Sequence, residues 1–238
     1  MSEHTHAIVT GGSSGIGSAV VTALLDRGLA VTVLDLQQGA DPRAAVEIVD
    51  LVDEGAVAAA LDRSAARAGT ATVLVACAGI RGQYVPALDL DLDVTRRVLE
   101  VNILGTLVPS RELVKRLEGR AGSVVAVSST TAYGGWPNQG DYGPSKAAIS
   151  NLVQVMAIEW APIQVRVNAV APSHTMTPMV RDLVAGGYDL EPVLARIPLG
   201  RIATPDEMAN EIVHLALDAG FVTGQVLPVD GGWTAVGK

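Results

Sequence analysis

A chain of 238 residues, 49% hydrophobic and 18% charged, can bury one sizeable core, and with no composition shift or repeat along it a single domain over residues 1–238 is expected. Its formal net charge of −8, from 17 basic and 25 acidic residues, would repel a phosphate backbone and argues against a nucleic-acid partner. The polar start MSEHTH has no basic-then-apolar leader, apolar runs such as Ala71 to Ile80 fall short of the ~20 residues of a membrane span, and the lone Cys77 cannot form an intramolecular disulfide, so a cytoplasmic chain with no membrane partner is expected.

Ala7 to Thr10 is a short apolar run ending in glycines, and from Gly15 to Arg27 apolar residues return at helical spacing through Ile16, Val20, Ala23 and Leu24. Gly28 closes this helix, and Leu29 to Leu34 is apolar without alternation, as in a strand covered on both faces of a parallel sheet. Further strands are expected at Val46 to Val49, Thr72 to Ala76, Ser123 to Ser128, Gln164 to Ala169 and Gln225 to Val229. Helices are expected at Glu54 to Ala68, Asp93 to Leu117, Tyr142 to Trp160 and Pro205 to Leu217. The alternation implies an α/β fold with a doubly wound parallel sheet, which places ligands at the carboxyl ends of the strands. Only ten residues, LQQGADPRAA, separate Asp35 from Val46, close to the minimum for a parallel crossover, so a full helix there is not expected. His4 and His6 fall in a loose terminus, and with His174 and His214 they show no metal-ligand spacing, so no catalytic metal is expected.

The segment Thr10-Gly11-Gly12-Ser13-Ser14-Gly15-Ile16-Gly17 puts glycines at a strand-to-helix turn. A missing Cβ there permits positive φ and lets backbone N–H groups approach a pyrophosphate that faces the helix N-terminus. Glycine turns alone are weak evidence, since a plain tight turn uses the same residues. Eighteen residues beyond Gly17, Asp35 ends the second strand, where a carboxylate can accept both ribose hydroxyls and would repel a 2′-phosphate. No Lys or Arg lies in the loop or directly after Asp35, so NAD is favoured over NADP.

Tyr142-Gly143-Pro144-Ser145-Lys146 sets a phenol and an ammonium four residues apart on one helix face. A phenol with an ordinary pKa of about 10 is a poor base at neutral pH, but a nearby cation favours the phenolate. Such pairs also arise by chance on helix surfaces, so the neighbours matter. Ser129, thirteen residues before Tyr142, ends the apolar strand VVAVSS and would emerge at the same carboxyl edge. Asn102 is an amide inside the apolar stretch Val101-Asn102-Ile103-Leu104-Gly105, and a buried amide needs partners. Cys77 ends an apolar run and reads as a small buried hydrophobe rather than a nucleophile.

Over essentially its whole length the chain resembles the compact single-domain branch of the short-chain dehydrogenases/reductases. TGGSSGIG resembles that family's cofactor loop, VNILG its Asn segment, SS with YGPSK its catalytic segments, and GQVLPVDGGW its C-terminal strand and turn. The resemblance implies a Rossmann-type sheet of about seven strands and interconversion of a secondary alcohol and a ketone by hydride transfer. It implies a tetrad in which Ser129 orients the substrate oxygen, Tyr142 transfers the proton, Lys146 binds the nicotinamide ribose and lowers the Tyr142 pKa, and Asn102 holds a water linking Lys146 to solvent. It further implies cofactor contacts from Gly11, Ser13, Ser14, Gly15, Ile16, Gly17, Asp35, Asp50, Leu51, Ala78 and Gly79, and from Pro172, Thr175 and Thr177 against the carboxamide.

Two positions depart from the family. Ala76-Cys77-Ala78-Gly79 stands where the family usually has N-N-A-G, which predicts lost local hydrogen bonds but retained activity; Ser173 stands where Gly is common, and its side chain is expected to alter the backbone or crowd the nicotinamide. The substrate pocket is expected under a lid over about residues 173–200, with Thr131, Tyr133, Trp136 and Asn138 facing it from the loop before Tyr142 and Ser173, His174, Met176, Met179, Tyr188 and Arg196 as further candidates. That mix suits a medium-sized, partly apolar alcohol or ketone and leaves a polyol open. Rival readings are a β-keto reductase working toward the alcohol and a dinucleotide-sensing regulator without turnover, the latter opposed by the complete tetrad. Enoyl reductases of related shape have a longer Tyr-to-Lys spacing, and sugar-nucleotide epimerases a larger C-terminal region. A homotetramer is expected, with the helices at Asp93 to Leu117 and Tyr142 to Trp160 at one interface and the C-terminal strand region at another.

Overall fold

Short apolar runs bounded by glycine turns assemble here into one seven-stranded sheet, every pairing of which is parallel. A computed structural model of the chain describes residues 4–39 and 41–236. The strands are β1 His6–Thr10, β2 Ala30–Asp35, β3 Ala45–Ile48, β4 Val73–Ala76, β5 Gly122–Val127, β6 Val165–Pro172 and β7 Val226–Val229, in spatial order β3-β2-β1-β4-β5-β6-β7. The order reverses between β1 and β4, so a crevice opens beyond their carboxyl ends, where Thr10 pairs with Ala76.

Both faces are covered. On one, α2 (Glu54–Ala68), α4 (Gly105–Lys115) and α5 (Tyr142–Trp160) bury Leu61, Leu113, Ile149 and Met156 against Ile8, Leu74 and Val124. On the other, α1 (Gly15–Asp26) and α8 (Pro205–Val213) bury Val20, Leu24 and Ile212 against Val9, Val33 and Val75. Each such side chain contributes about 1.5–3 kcal/mol, which explains why the strands show no polar alternation. A third small cluster joins Val193 and Ile197 of the lid segment to Trp233.

The expected single helix from Asp93 to Leu117 is three pieces: α3 (Leu92–Leu99), a π turn over Glu100–Leu104 and α4. A second π turn, His214–Asp218, takes over where the expected Pro205 to Leu217 helix leaves α8. Residues 173–200 hold two short helices, α6 (Pro178–Ala185) and α7 (Glu191–Arg196). The β2–β3 connection contains no helix among its described residues, as its length requires. His4 and His6 are not in a loose terminus: His6 is wholly buried in β1, its Nδ1 2.6 Å from the Gly69 carbonyl and its Nε2 3.1 Å from Thr32 Oγ1, while His4 Nδ1 lies 2.7 Å from Thr72 Oγ1. Apolar periodicity misses these two because their role is polar: each ties the sheet's amino edge to a loop. No helix among the described residues is long and apolar enough to cross a membrane.

Candidate active site

A cleft of about 410 Å³ runs along the carboxyl ends of the strands, within the range of small-molecule sites. At its nucleotide end the glycines are required by backbone proximity. Gly11 has φ +66°, and a Cβ on it would lie 2.8 Å from the Ala78 backbone; a Cβ on Gly17 would lie 2.1 Å from the Gly11 carbonyl oxygen. Asp35 is held by Ser13 N–H at 3.0 Å and Gln37 N–H at 3.2 Å, one to each carboxylate oxygen, which leaves further lone pairs facing the cleft. Gly11, Ser14, Gly15, Ile16, Gly17, Asp50, Leu51, Ala78, Gly79, Pro172, Thr175 and Thr177 all line it. Ser13 does not, because its hydroxyl turns away to the Gln37 carbonyl at 2.9 Å. Thr177 caps α6, and its Cγ2 comes within 3.4 Å of where a Gly15 Cβ would sit, so the lid begins directly over the glycine turn. Thr10 Oγ1 accepts from Ala78 N–H at 3.3 Å, so backbone and a threonine hold the β1–β4 junction without the two amides absent at Ala76 and Cys77. This cradle, into which a Cβ would intrude, fits a dinucleotide.

At the reacting end, Ser129 leaves β5, Tyr142 opens α5, and Lys146 follows one turn later, all on the cleft wall. The Lys146 ammonium is 5.6 Å from the Tyr142 ring centroid and donates to the Val127 carbonyl at 2.9 Å. Asn102 stands behind this wall, wholly buried in the π turn. Its amide donates to the Ile80 carbonyl at 3.1 Å and to Ser145 Oγ at 2.9 Å, and accepts from Ile80 N–H at 2.8 Å. Both amide hydrogens are thereby engaged, and Oδ1 keeps one lone pair beyond its bond from Ile80 N–H. A π turn leaves part of the local backbone ladder unpaired, a device often found at functional sites. Gly79 lies between the two: a Cβ there would be 3.1 Å from Asn102 Oδ1 and 3.4 Å from Lys146 Nζ.

A family model described as enoyl-(acyl carrier protein) reductase matches residues 11–234. Cis-4-hydroxycyclohexanecarboxylate dehydrogenase of Sinomonas cyclohexanicum is 40% identical over 243 residues, covering 97% of this chain and 96% of that protein. The chain belongs to the short-chain dehydrogenase/reductase family. A second relative, 2-dehydro-3-deoxy-L-rhamnonate dehydrogenase (NAD(+)) of Sphingomonas sp., is 32% identical over 237 residues, covering 96% of this chain and 94% of that one. Among solved structures, ligand-free aldohexose dehydrogenase of Thermoplasma acidophilum superposes with a TM-score of 0.91 at 30% identity, over 98% of this chain and 95% of that chain. As a short-chain dehydrogenase/reductase, the chain is an oxidoreductase that works with a nicotinamide dinucleotide.

Electrostatics in this dehydrogenase site correct one expectation. Burial pushes the Tyr142 phenol up to about 12, against a smaller opposing pull from the Ser129 hydroxyl, and pushes Lys146 down to about 8. Burial penalises the charged form of each side chain, so the enclosed pair alone does not bring the phenol below its ordinary pKa. Burial likewise pushes the Cys77 thiol up to about 12, which keeps it protonated and unreactive.

The substrate wall is a run of aromatic contacts. Trp136 stacks on Trp233 at 4.9 Å, His174 on Tyr188 at 6.0 Å with Tyr188 Oη 3.3 Å from His174 Nε2, and Tyr84 meets Tyr188 edge-on at 6.1 Å. Thr131, Trp136, Ser173, His174, Met179 and Tyr188 line the cleft as expected. Four residues do not. Met176 is turned from it where its N–H bonds the Ala203 carbonyl at 2.9 Å; Tyr133 reaches the Val226 carbonyl at 2.9 Å; Asn138 occupies a left-handed turn at φ 63°; Arg196 lies over Trp233 at 4.3 Å. The Ser173 hydroxyl donates to the Asp230 carbonyl at 3.2 Å, and Ser173 is not among the described residues with positive φ, so its side chain does not force the backbone into the left-handed region. Sequence reasoning missed Arg81, Tyr84, Arg97 and Gln139. Gln139 had a signal, since it lies in the loop between Ser129 and Tyr142; its Oε1 and Thr131 Oγ1 are buried acceptors without a partner among the described residues.

Proposed function

We propose that this oxidoreductase uses NAD(H) to interconvert a secondary alcohol and a ketone on a ring-sized, partly apolar substrate that also carries an acid anion. The observation that carries the reading is the convergence of Ser129, Tyr142 and Lys146 on the same cleft wall as the glycine turn and Asp35. Ser129 holds the substrate oxygen, and Tyr142 takes or gives its proton. Lys146 supplies a positive charge beside the phenol, and Asn102 fixes the Ile80 backbone and Ser145 so that this geometry persists. When bound, the dinucleotide accepts or gives the hydride and, oxidised, brings the positive charge that enclosure of Lys146 weakens. Asp35, with no cation in hydrogen-bond reach among the described residues, favours ribose hydroxyls over a 2′-phosphate. Thr131 Oγ1 and Gln139 Oε1 offer unpaired acceptors to substrate donors.

The anion is carried over from the two relatives, which are named for a carboxylate and a rhamnonate. The aromatic wall suits a ring. A homotetramer is supported by exposed apolar side chains on α3 and α5, Leu92 and Ile158, and by exposed Phe221 near β7. A panel of secondary alcohols with NAD and NADP, followed by absorbance of the reduced nicotinamide, tests the function. NAD should support the greater kcat/KM; greater turnover with NADP overturns the cofactor assignment.

A further inference from the structure

Between β4 and α3 the chain borders the cleft, and this segment carries a cation that the proton and hydride steps do not use. Ile80 is fixed at both backbone groups by Asn102, at 2.8 and 3.1 Å. Three residues on, Gln83 N–H donates at 3.0 Å to the carboxylate of Asp141, wholly buried just before α5. Gly82 admits that carboxylate, since a Cβ there would lie 2.1 Å from Asp141 Oδ1. The Gln83 amide closes the segment on the Asp91 backbone with two bonds of 3.0 Å. Arg81 stands between these anchors, exposed and lining the cleft. Two residues of chain span at most ~7 Å, so Arg81 Cα is no further than that from Gly79, whose Cβ position would be 3.4 Å from Lys146 Nζ.

Other cationic groups on the cleft wall are engaged. Arg97 pairs with Glu100 at 3.0 Å and Asp50 at 3.4 Å, Lys146 donates to Val127, and burial holds the His174 pKa down. Arg81 has no acidic partner among the described residues, in a chain of net charge −8. A guanidinium held on a fixed backbone and left unpaired beside a reacting centre matches a carboxylate, which it can engage through two parallel hydrogen bonds.

We infer that Arg81 is the anion subsite of the substrate pocket, binding a carboxylate on the substrate while the carbinol faces Tyr142 and Ser129. The inference rests on the alcohol-oxidising reading only for where the carbinol lies. Two measurements separate them. Cyclohexanecarboxylate, which has no carbinol, is titrated calorimetrically into the NADH-bound protein as wild type, Arg81→Met and Arg81→Lys, beside neutral cyclohexanecarboxamide. Arg81→Met should weaken the carboxylate tenfold or more, Arg81→Lys should restore part of it, and the amide should respond within about twofold. Equal carboxylate affinity in wild type and Arg81→Met, or no binding to the wild type, overturns the subsite. Oxidation of cis-4-hydroxycyclohexanecarboxylate and its amide is read in parallel. A rise in KM for the acid alone upholds the subsite, and a common fall for both overturns it. If Arg81-dependent binding persists while neither alcohol is oxidised, the subsite stands and the cyclic-alcohol reading fails.

Discussion

At the glycine turn, backbone meets backbone: a Cβ on Gly11 would strike Ala78 and one on Gly17 the Gly11 carbonyl, while Asp35 is fixed by two N–H donors. Across the cleft, over residues 173–200, side chains set the geometry instead. His174 rests on Tyr188, Arg196 covers Trp233, and the helices there are only eight and six residues long with Met179 and Val184 exposed. At Gly11 and Gly17 a new atom collides with main chain, whereas the lid can be reshaped one side chain at a time. A protein built so can keep one hydride chemistry and alter its substrate.

The largest expected effect lies where the two regions meet. Tyr142→Phe removes the proposed proton carrier and should lower kcat by about 10²–10⁴-fold while NADH binding, read by fluorescence, is unchanged; a variant with most of its activity breaks the account of the reacting end. Next comes the turn itself. Gly17→Ala should destabilise by about 1–3 kcal/mol in urea unfolding and weaken NADH binding, because the added methyl meets a carbonyl that helix α1 cannot leave. On the lid side Trp136→Ala should raise KM severalfold and leave NADH affinity as it was; equal loss of both would erase the contrast.

A smaller effect concerns pH. Because folding lowers the Lys146 pKa from 10.5 to about 8, the unfolded chain holds a proton the folded one has released between those values, so Lys146 makes stability rise with pH across that window. Tyr142, raised from 10.0 to about 12, acts oppositely above pH 10. Urea midpoints at pH 8, 9 and 10 should climb more steeply in the wild type than in Lys146→Met. Parallel slopes would mean that Lys146 keeps water around its ammonium.

The same contrast explains what could be read from the chain. Strands buried on both faces announce themselves as unbroken apolar runs, and Asp35 and Tyr142 sit at element ends that their own neighbours define. The helix over Asp93 to Leu117 reads as continuous because its π turn depends on Asn102 reaching Ile80 and Ser145, which are distant in sequence. Lid helices escape detection because they are only eight and six residues long, with α6 turning Met179, Val180 and Leu183 to the cleft and α7 burying Val193 in a small cluster with Ile197 and Trp233. Arg81 and Tyr84 lie in the loop after β4, yet nothing local says that Asp141 will hold their segment beside α5. The spacing of Tyr142 and Lys146 carries the charge of the ammonium but not the burial that raises the phenol's pKa and lowers the ammonium's.

Transfer of label is the most direct test. With the alcohol deuterated at its carbinol carbon and NAD as acceptor, deuterium should appear in the reduced nicotinamide in full and on one face, with loss of this transfer in Tyr142→Phe. Deuterium released to solvent, or unaltered transfer in the Phe variant, would contradict direct hydride passage governed by that phenol.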